Sequence, residues 1–458
     1  MQLIADLHLH SKYSRAVSPQ MVIPEMVKWA KLKGINLLGT GDFTHPLWFS
    51  ELKQYLEEEG GVLKIKEGGF GDIKFLLTTE ISSIYGQGGR TRKIHNLIIA
   101  PSFAVVEKIN TEFKKRGCNL ISDGRPIVGL SAKQVADLVF SVDESCLLIP
   151  CHVWTPWFSL YGANSGFDSL EECFGELSKY IYAVETGLSS DPEMNWQIAD
   201  LDNRSIVSFS DAHSPAKLGR EATVFETPDI KILGYRDIKE ALIGGGGETR
   251  ISHTIEFYPE EGKYHYTGHR NCGVVQSPEE TEKRGTTCTV CGRKLTVGVM
   301  ERVRKLSKSI TSITSTTGIK GVETKVDEFG VKWIKKESRP PFIRLVPLAE
   351  IIAESKGVGD ASVSVIREYQ NLIEKLGNEI GILMKCDLEK IARIGGEKLA
   401  EGVLKVRAGD IFIKPGFDGE YGKVSVWPSS TEASSDAKAM ADKSADKGSS
   451  TKEQMSMF

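Results

Sequence analysis

The first ten residues carry three polar side chains at every second position. Asp6, His8 and His10 alternate with Leu7 and Leu9 in the stretch "IADLHLHSK". Because successive side chains of a β-strand point to opposite faces, an extended chain places the carboxylate and both imidazoles on one face. Buried polar groups need partners, so this spacing suits either a metal site or an edge strand that faces water. The rest of the first half of the chain favours the metal site.

Further metal-binding residue types accompany other short apolar runs. Runs such as "INLLGTGDF", "IKFLLTTEIS", "CLLIPCHV" and "SIVSFSDAH" end in aspartate, glutamate or histidine. With the first strand they supply the candidate ligands His8, His10, Asp42, His45, Glu80, His95, His152, Asp211 and His213. Imidazole and carboxylate ligands in this number suit Zn²⁺, Mn²⁺ or iron better than Ca²⁺. Several divalent ions in one pocket polarise phosphoryl oxygens and generate hydroxide near neutral pH, so the residues predict a multinuclear site that cleaves phosphate esters.

The elements that must position these residues alternate between strand and helix patterns from Met1 to about Phe225. Seven β-like runs are separated in several places by amphipathic stretches such as "PEMVKWAKLKG" and "SAKQVADLVFSV". This alternation predicts an α/β fold with a parallel sheet, and seven strands fit a barrel better than a small open sheet. Since the carboxyl ends of barrel strands converge on one face, residues distant in sequence would meet in one pocket.

Composition narrows the class of protein without indicating the reaction. The chain has 458 residues, 40% of them hydrophobic, which is enough for two or three domains. No apolar run approaches the roughly 20 residues of a membrane span, and the N-terminus enters a strand without a basic leader, so we expect a soluble cytoplasmic protein. A net charge of −3 gives no overall attraction to nucleic acid, which would have to bind local patches or the site itself.

The ordered motifs of the first half resemble those of the PHP (polymerase and histidinol phosphatase) superfamily. They are "DLHLHS", "GTGDFTHP", "TTEISS" with "KIHNLI", "PCHV" and "SFSDAHS". The resemblance implies a distorted (β/α)7 barrel with up to three metals. It implies one metal held by His8, His10, Glu80 and Asp211, a second held by Glu80, His95 and His152, and a third near His213. It further implies that His8, His10, Glu80, Asp211 and His213 are catalytic.

The second motif departs from the PHP pattern. Many PHP enzymes have a histidine directly after its aspartate, whereas Phe43 follows Asp42 here. His45, with or without Asp42, is the alternative, so the ligands of a third metal stay open. An amidohydrolase also begins with HxH but usually needs a bridging lysine, and Glu80 with the closing "DAH" fits PHP better. We expect Asp6 to orient the ligands rather than bind metal.

A second module has the spacing of zinc ligands. "GHRNCG" and "TTCTVCGRKLTVG" contain His269-x-x-Cys272 and Cys288-x-x-Cys291, with His265 as a competing fourth ligand. Two short ligand pairs separated by a loop predict a structural zinc site of the ribbon type. A chance CxxC is the alternative, and a redox CxxC is disfavoured because no thioredoxin-like pattern surrounds the pair.

Changes in composition divide the chain into six predicted parts. They are a catalytic barrel (1–228), a connecting segment (229–262), a zinc module (263–307), a polar linker or insertion (308–340), a helical DNA-binding domain (341–427) and a disordered tail (428–458). In the helical part, "LAEIIAESKGVGDASVSVIREYQ" and "LEKIARIGGEKLAEGVLKVRAG" resemble helix–hairpin–helix elements, whose backbone N–H groups bind phosphates. An ordinary αα-hairpin is the alternative.

The order of barrel, zinc module and helical pairs resembles the endonuclease Q family of DNA repair nucleases over roughly residues 1 to 427. The resemblance implies hydrolysis of the phosphodiester on the 5′ side of a deaminated base, uracil or hypoxanthine, or of an abasic site. It implies DNA as the partner and Zn²⁺ as the structural and catalytic metal, with Mn²⁺ or Mg²⁺ as alternatives in the active site.

Residues beside the predicted site are candidates for substrate contacts. Trp154, Trp157 and Asn164 follow "PCHV" and could contact an extruded base, and Arg90 and Arg92 in "YGQGGRTRK" could contact phosphates. Ordinary loop packing and a solvated loop are the respective alternatives.

The ending "KEQMSMF" resembles a truncated sliding-clamp-binding peptide, from Gln454 to Phe458, with an inert tail as the alternative.

Two other functions compete with the nuclease. A PHP phosphatase for a small phosphomonoester would need neither the zinc module nor the helical module. A DNA-binding scaffold without catalysis is disfavoured by the near-complete ligand set.

Overall fold

The structure is a computed structural model that describes residues 1–66, 73–308 and 321–428. It confirms the predicted α/β class, with one large mixed sheet followed by a helical region. Among the residues described, no helix is long and apolar enough to cross a membrane. The segment from Gln454 to Phe458 and the rest of the predicted tail from residue 429 lie outside the described residues.

Strands and helices alternate through the first half of the chain. The strands are β1 (Gln2–Asp6), β2 (Leu37–Gly39), β3 (Leu56–Glu59), β4 (Val62–Ile65), β5 (Lys74–Gln87), β6 (Arg90–Ala100), β7 (Ile127–Val128), β8 (Leu147–Pro150), β9 (Ala183–Glu185), β10 (Ser205–Val207) and β11 (Ala222–Glu226). The helices are α1 (Ile23–Lys33), α2 (Pro46–Tyr55), α3 (Phe103–Lys115), α4 (Ala132–Val142), α5 (Leu170–Phe174) and α6 (Pro192–Asn195).

The second half contains shorter strands and a run of helices. The helices are α7 (Tyr235–Ile243), α8 (Pro278–Arg284), α9 (Val299–Lys308), α10 (Leu348–Lys356), α11 (Val363–Leu376), α12 (Glu379–Lys385), α13 (Leu388–Gly395) and α14 (Glu397–Ala408). The strands are β12 (Arg250–Glu256), β13 (Thr267–His269), β14 (Val274–Gln276), β15 (Val322–Val326), β16 (Lys332–Lys336), β17 (Phe342–Arg344), β18 (Phe412–Lys414) and β19 (Lys423–Ser425).

The large sheet is mixed, with both parallel and antiparallel pairs, and not the parallel sheet that the sequence predicts. Its main path is β15-β16-β17-β12-β11-β1-β2-β5-β4-β3, with β6 and β7 branching from β5 and β8 pairing with β6. β1, β2 and β5 pair in parallel, whereas β11 is antiparallel to both β1 and β12. β9 and β10 form a separate parallel pair. The parallel strands at the centre carry buried apolar residues on both faces, as a sheet covered by helices requires.

The described part of the polar stretch 308–340, from residue 321 onward, contains strands, whereas the sequence predicts a linker or insertion. β15 and β16 form an antiparallel hairpin, and Ile334 of β16 pairs with Phe342 of β17. Asp327 accepts hydrogen bonds from the backbone N–H groups of Phe329 and Val331 and so fixes the turn. Only one face of this hairpin is buried, so its apolar content is too low for composition to reveal the strands.

The helical region contains two helix–turn–helix pairs, α10–α11 and α13–α14, with α12 between them, and it contacts the first half of the chain. Gly357 (φ 67°) ends α10, and Gly396 (φ 90°) separates α13 from α14. The Lys33 ammonium of α1 lies 2.6 Å from the Glu379 carboxylate of α12, and both side chains are 5% exposed. The Tyr369 hydroxyl donates to the same carboxylate at 2.7 Å. A buried ion pair therefore joins the helical region to the first half.

Candidate metal centre

Four predicted ligands meet where β1 ends. His8 and His10 follow β1, Glu80 lies in β5, and Asp211 follows β10, and their ligand atoms all lie within 4.8 Å of one another. The Nε2 atom of His10 is 3.2 Å from both Glu80 Oε2 and Asp211 Oδ1. An isolated bridge between Leu9 and Ala212 aligns the two segments that carry these side chains. The alternation of the first strand thus brings both imidazoles into one pocket.

A second group shares Glu80 with the first. Glu80, His95 and His152 place their ligand atoms within 4.8 Å of one another. Glu80 Oε1 lies 2.5 Å from His95 Nδ1 and 3.3 Å from His152 Nε2. The β5–β6 hairpin sets this geometry, because Ser82 pairs with His95 and its hydroxyl lies 3.0 Å from His95 Nε2. Since the other oxygen of Glu80 faces the first group, this carboxylate is placed to bridge two cations.

The donor set fits divalent metal ions. The atoms His8 Nε2, His10 Nε2 and Asp211 Oδ1 are buried, and each lacks a hydrogen-bond partner within the described part of the chain. Burial lowers the pKa of His8, but the nearby Glu185 and Cys151 outweigh it, and the pKa lies well above its usual range. The pocket therefore stabilises a positive charge on the His8 imidazole. A metal ion, which binds the neutral imidazole, would supply that charge in place of the proton. Nitrogen and carboxylate donors of this kind suit Zn²⁺ or Mn²⁺.

Two carboxylates fix the orientation of the first-strand histidines. His8 Nδ1 lies 2.8 Å from Glu185 Oε1, and His10 Nδ1 lies 3.1 Å from Asp42 Oδ1. Since a carboxylate accepts hydrogen bonds, Nδ1 carries the proton in both rings and Nε2 faces the pocket. The other oxygen of Asp42 accepts hydrogen bonds from the backbone and hydroxyl of Ser11. The structure therefore places Asp42 behind His10 and outside both ligand groups.

The other predicted ligands and Asp6 lie around the pocket. His45 stacks on Tyr13 with ring centroids 4.4 Å apart, and its Nε2 is 3.2 Å from the Ile121 carbonyl, so it is outside both groups. The ring of His213 is 4.8 Å from that of His10, at the rim, and its side chain is 34% exposed. Asp6 forms no hydrogen bond to His8 or His10 among the described residues. It accepts hydrogen bonds from Ser210 and Gly219 and so holds the segment before Asp211.

Three residues of the site were missed by the sequence interpretation. Glu185 ends β9 and Cys151 follows β8, and both lie with His8 in a third group of potential ligand atoms. Glu185 ends the run "YIYAVETG", so its place at a strand end was the available signal. Arg125, in the loop "SDGRP", donates from Nη1 to Glu80 Oε2 at 3.1 Å. The sequence around Arg125 does not indicate a role in the site, because glycine-containing loops with one arginine are common.

The backbone turns sharply at three strand-end residues of the site. Asp42 (φ 48°), His152 (φ 31°) and Asp211 (φ 47°) adopt the left-handed conformation that L-residues rarely occupy. Each such residue costs of order 1–3 kcal/mol, which the surrounding fold must offset. Beside His152, a Cβ on Gly187 would lie 2.4 Å from the His152 Cβ, so only glycine fits there. Strain of this kind is typical of functional sites.

Of the five predicted substrate residues, Trp154 and Arg92 are engaged in packing, whereas Arg90, Trp157 and Asn164 are exposed. Trp154 is fully buried and donates from Nε1 to Asn195 at 2.8 Å, so it is a core residue, contrary to expectation. Arg92 hydrogen-bonds to the Gly166 carbonyl, and its guanidinium lies 4.0 Å from the centre of the Phe167 ring. Arg90 contacts the Asn164 carbonyl at 3.4 Å. Trp157 is 37% exposed, so it is the aromatic residue of this set that a DNA base could reach.

The predicted zinc ligands also come together. His269, Cys272, Cys288 and Cys291 place their ligand atoms within 4.8 Å of one another beside the β13–β14 hairpin. Burial would raise the pKa of Cys288, but the backbone N–H groups of Val290 and Cys291 outweigh it and lower the pKa to about 6. This favours the thiolate that zinc binds. His265, the competing ligand, is buried and lies outside this group.

The fold and these sites together define a class of protein: a mixed α/β protein with a candidate hydrolytic metal centre and a separate Cys/His cluster. Comparison with solved structures narrows the class. The lesion-specific endonuclease PfuEndoQ of Pyrococcus furiosus superposes with a TM-score of 0.76 at 32% identity, over 93% of this chain and 95% of that one. The chain belongs to the endonuclease Q family.

The chain is also similar to a second solved structure and to an uncharacterized protein. A structure of endonuclease Q in complex with a 27-mer duplex, with an abasic lesion at the active site, superposes with a TM-score of 0.76 at 32% identity, over 93% of this chain and 96% of that one. The uncharacterized protein MJ0043 of Methanocaldococcus jannaschii is 33% identical over 283 residues, 61% of this chain and 32% of that protein. The chain thus covers about a third of MJ0043. Residues 347–410 match the family model of the MJ0043 C-terminal domain.

Proposed function

We propose that this protein is a metal-dependent DNA repair endonuclease. It hydrolyses the phosphodiester on the 5′ side of a deaminated base, uracil or hypoxanthine, or of an abasic site. The observation that carries this proposal is the pair of ligand groups that share Glu80, because two adjacent cations are suited to phosphodiester hydrolysis. Kinship with a lesion-specific endonuclease, and with an endonuclease Q bound to a duplex containing an abasic lesion, supports the choice of substrate.

The proposed catalytic part spans residues 1–228 as a distorted (β/α)7 barrel of the PHP type. In it, His8, His10, Glu80 and Asp211 would hold one metal, and Glu80, His95 and His152 a second. His213, at the rim, would serve a third, because its Nδ1 donates to the Asp211 carbonyl at 2.8 Å, which leaves the lone pair of Nε2 for a metal ion. The metals, Zn²⁺ or alternatively Mn²⁺ or Mg²⁺, would supply Lewis acidity and a nucleophilic hydroxide when bound.

The chain's own residues would prepare this chemistry. Glu185 and Asp42 hold His8 and His10 with Nε2 toward the pocket, so the ligand atoms need little reorganisation. Asp211 and His213 have partly exposed side chains and border the opening, whereas His8, His10 and Glu80 are fully buried. A DNA phosphate would therefore approach from the side of Asp211 and His213.

Parts outside the barrel would hold the DNA. We propose that the turns at Gly357 and Gly396 bind backbone phosphates in the manner of helix–hairpin–helix elements, within a DNA-binding domain of 341–427. The Cys/His cluster of 263–307 would bind a structural zinc ion. Trp157, exposed on the loop that follows His152, is available to stack on an extruded base.

An end-labelled duplex with one uracil, hypoxanthine or abasic site tests the proposal. With Mn²⁺ or Mg²⁺ we expect one chelator-sensitive nick immediately 5′ of the lesion and none in the undamaged duplex. Asp211→Asn should abolish the nick while lesion binding persists, because the carboxylate belongs to the ligand group rather than to the DNA surface. Rapid hydrolysis of a generic phosphomonoester without any nick would instead identify a small-molecule phosphatase.

A further inference from the structure

A permanently charged side chain borders the candidate metal centre. The guanidinium of Arg125 donates from Nη1 to Glu80 Oε2 at 3.1 Å, and the Arg125 side chain is 26% exposed. Within the described chain this is the one hydrogen bond that its guanidinium makes. An arginine has five N–H donors, so Arg125 can contact the carboxylate on one side and a ligand in the opening on the other.

The loop that carries Arg125 is fixed against the ligand-bearing loops. Asp123 accepts from the backbone N–H groups of Arg15 and Arg125, at 3.3 and 3.1 Å. A Cβ on Gly124 would lie 2.3 Å from the Asp42 carboxylate, so the backbone approaches as closely as glycine permits. Ser82, two residues after Glu80, donates its backbone N–H to the Pro126 carbonyl at 3.1 Å. The position of Arg125 is therefore set by the same elements that position the ligands.

Charge balance indicates what this arginine faces in the loaded enzyme. Glu80 is the carboxylate shared by both ligand groups, so bound cations would neutralise it without help. One carboxylate shared with two divalent cations leaves little negative charge to hold the guanidinium, so Arg125 can pair with a further anion in the opening. The anion that enters this opening under the proposed function is a phosphodiester, whose charge grows in the transition state. Arginine also matches the geometry of phosphate oxygens better than lysine does.

We propose that Arg125 is a catalytic residue that binds a non-bridging oxygen of the scissile phosphate. This inference rests on the proposed function and names a contact within that site. The side chain forms no covalent bond and transfers no proton; it holds the phosphate against the metals and stabilises the added charge of the transition state. The alternative is a structural role, in which Arg125 only neutralises Glu80 and keeps the ligands in place.

Phosphorothioate substitution distinguishes the two roles. The test uses full-length protein and a lesion duplex with sulfur at either non-bridging position of the scissile phosphate, as separated diastereomers. Arg125→Ala should slow single-turnover cleavage by about 100-fold or more, as loss of one charge-stabilising donor does elsewhere. In this variant, sulfur at the oxygen that Arg125 contacts should no longer slow the reaction further. Arg125→Lys should be intermediate.

Two controls complete the test. Metal content, measured by mass spectrometry, and duplex affinity should stay within about 3-fold of wild type in both Arg125 variants. Arg236→Ala removes an arginine of helix α7 that pairs with Glu240 and is 88% exposed, and it should leave both the rate and the sulfur effect unchanged. Loss of metal in proportion to activity, or undiminished sulfur effects at both positions in Arg125→Ala, would overturn the inference. If wild-type protein nicks no lesion duplex, the proposed function fails and the inference fails with it.

Discussion

The imidazole of His8 and the carboxylate of Glu185 form a buried hydrogen bond at the base of the candidate metal centre. Nδ1 of His8 lies 2.8 Å from Glu185 Oε1, and the second oxygen accepts the backbone N–H of His152 at 2.9 Å. One carboxylate thus contacts a residue from each of the two ligand groups. In this arrangement Glu185 fixes the tautomer of His8 and the backbone that carries His152.

Replacing Glu185 tests that role directly. In Glu185→Gln one oxygen remains for two donors, and the amide presents its own N–H groups to His8 or to the backbone of His152. We expect metal affinity and cleavage to fall roughly 10- to 100-fold, as for other residues that orient metal-binding histidines. Titration with a fluorescent zinc chelator measures the affinity. The exposed carboxylate of Glu176 offers a matched Glu176→Gln control, and equal affinities in the two variants would contradict the assignment.

The Cys/His cluster should be separable from the active site. In Cys288→Ser we expect loss of one bound zinc ion and faster proteolysis within residues 263–307, because the ion stabilises that module. The metals of the Glu80 groups should remain bound. Elemental analysis and limited proteolysis measure the two effects. Cys118→Ser, at a half-buried cysteine outside the cluster, is the control. Loss of the other metals with an intact module would refute this division of roles.

The strand-end residues show how far sequence reasoning reaches. Two-residue alternation dictates that His8 and His10 share a face, and the hairpin register of β5 and β6 brings Glu80 to His95. The sequence could not separate ligands from the groups that orient them. From the sequence, Asp42 and Glu80 are equally good candidates for metal ligands. Only the contacts of Asp42 with Ser11 and His10 show that it lies behind His10.

Parts of the fold escaped prediction for a different reason. The β15–β16 hairpin buries one face through Ile334 and exposes the rest, so its residues look like a polar linker. The antiparallel pairing of β1 with β11 joins segments more than 200 residues apart, and strand patterns contain no information on such partners. The closure of the strands into a (β/α)7 barrel and the domain boundaries remain predictions.

The buried ion pair between α1 and α12 should contribute strongly to stability. Glu379→Gln would leave the Lys33 ammonium, 5% exposed, without its carboxylate, and we expect a loss of roughly 3–5 kcal/mol in the free energy of unfolding. Denaturant unfolding measures it. Adding Lys33→Met to Glu379→Gln should recover part of the loss, because the unpaired charge is then removed. Glu374→Gln, exposed on the adjacent helix α11, should change stability by less than about 0.5 kcal/mol. Equal effects of the two glutamine variants would contradict the assignment.

Two fully buried carboxyl groups, Glu221 and Glu256, should make stability depend on pH. Burial raises the pKa of Glu256 from 4.5 to about 8, and burial together with the charge of Glu256 raises that of Glu221 well above its usual range. The folded protein therefore keeps protons that the unfolded chain releases above about pH 4.5. Stability should fall as the pH rises from about 4.5 to about 8, by up to about 1.4 kcal/mol per pH unit for each retained proton.

Glu256→Gln should reduce this dependence. The amide oxygen can accept the hydrogen bonds that Ser208 and Thr254 donate to Glu256, and the amide N–H groups suit an ionised Glu221. We therefore expect the variant to gain stability relative to wild type as the pH rises from 5 to 8. Denaturation midpoints at each pH measure the difference. Glu226→Gln, half exposed on strand β11, should follow the wild-type curve. If the curve of Glu256→Gln were also parallel to that of wild type, Glu256 would already be ionised in the folded protein and would hold no extra proton.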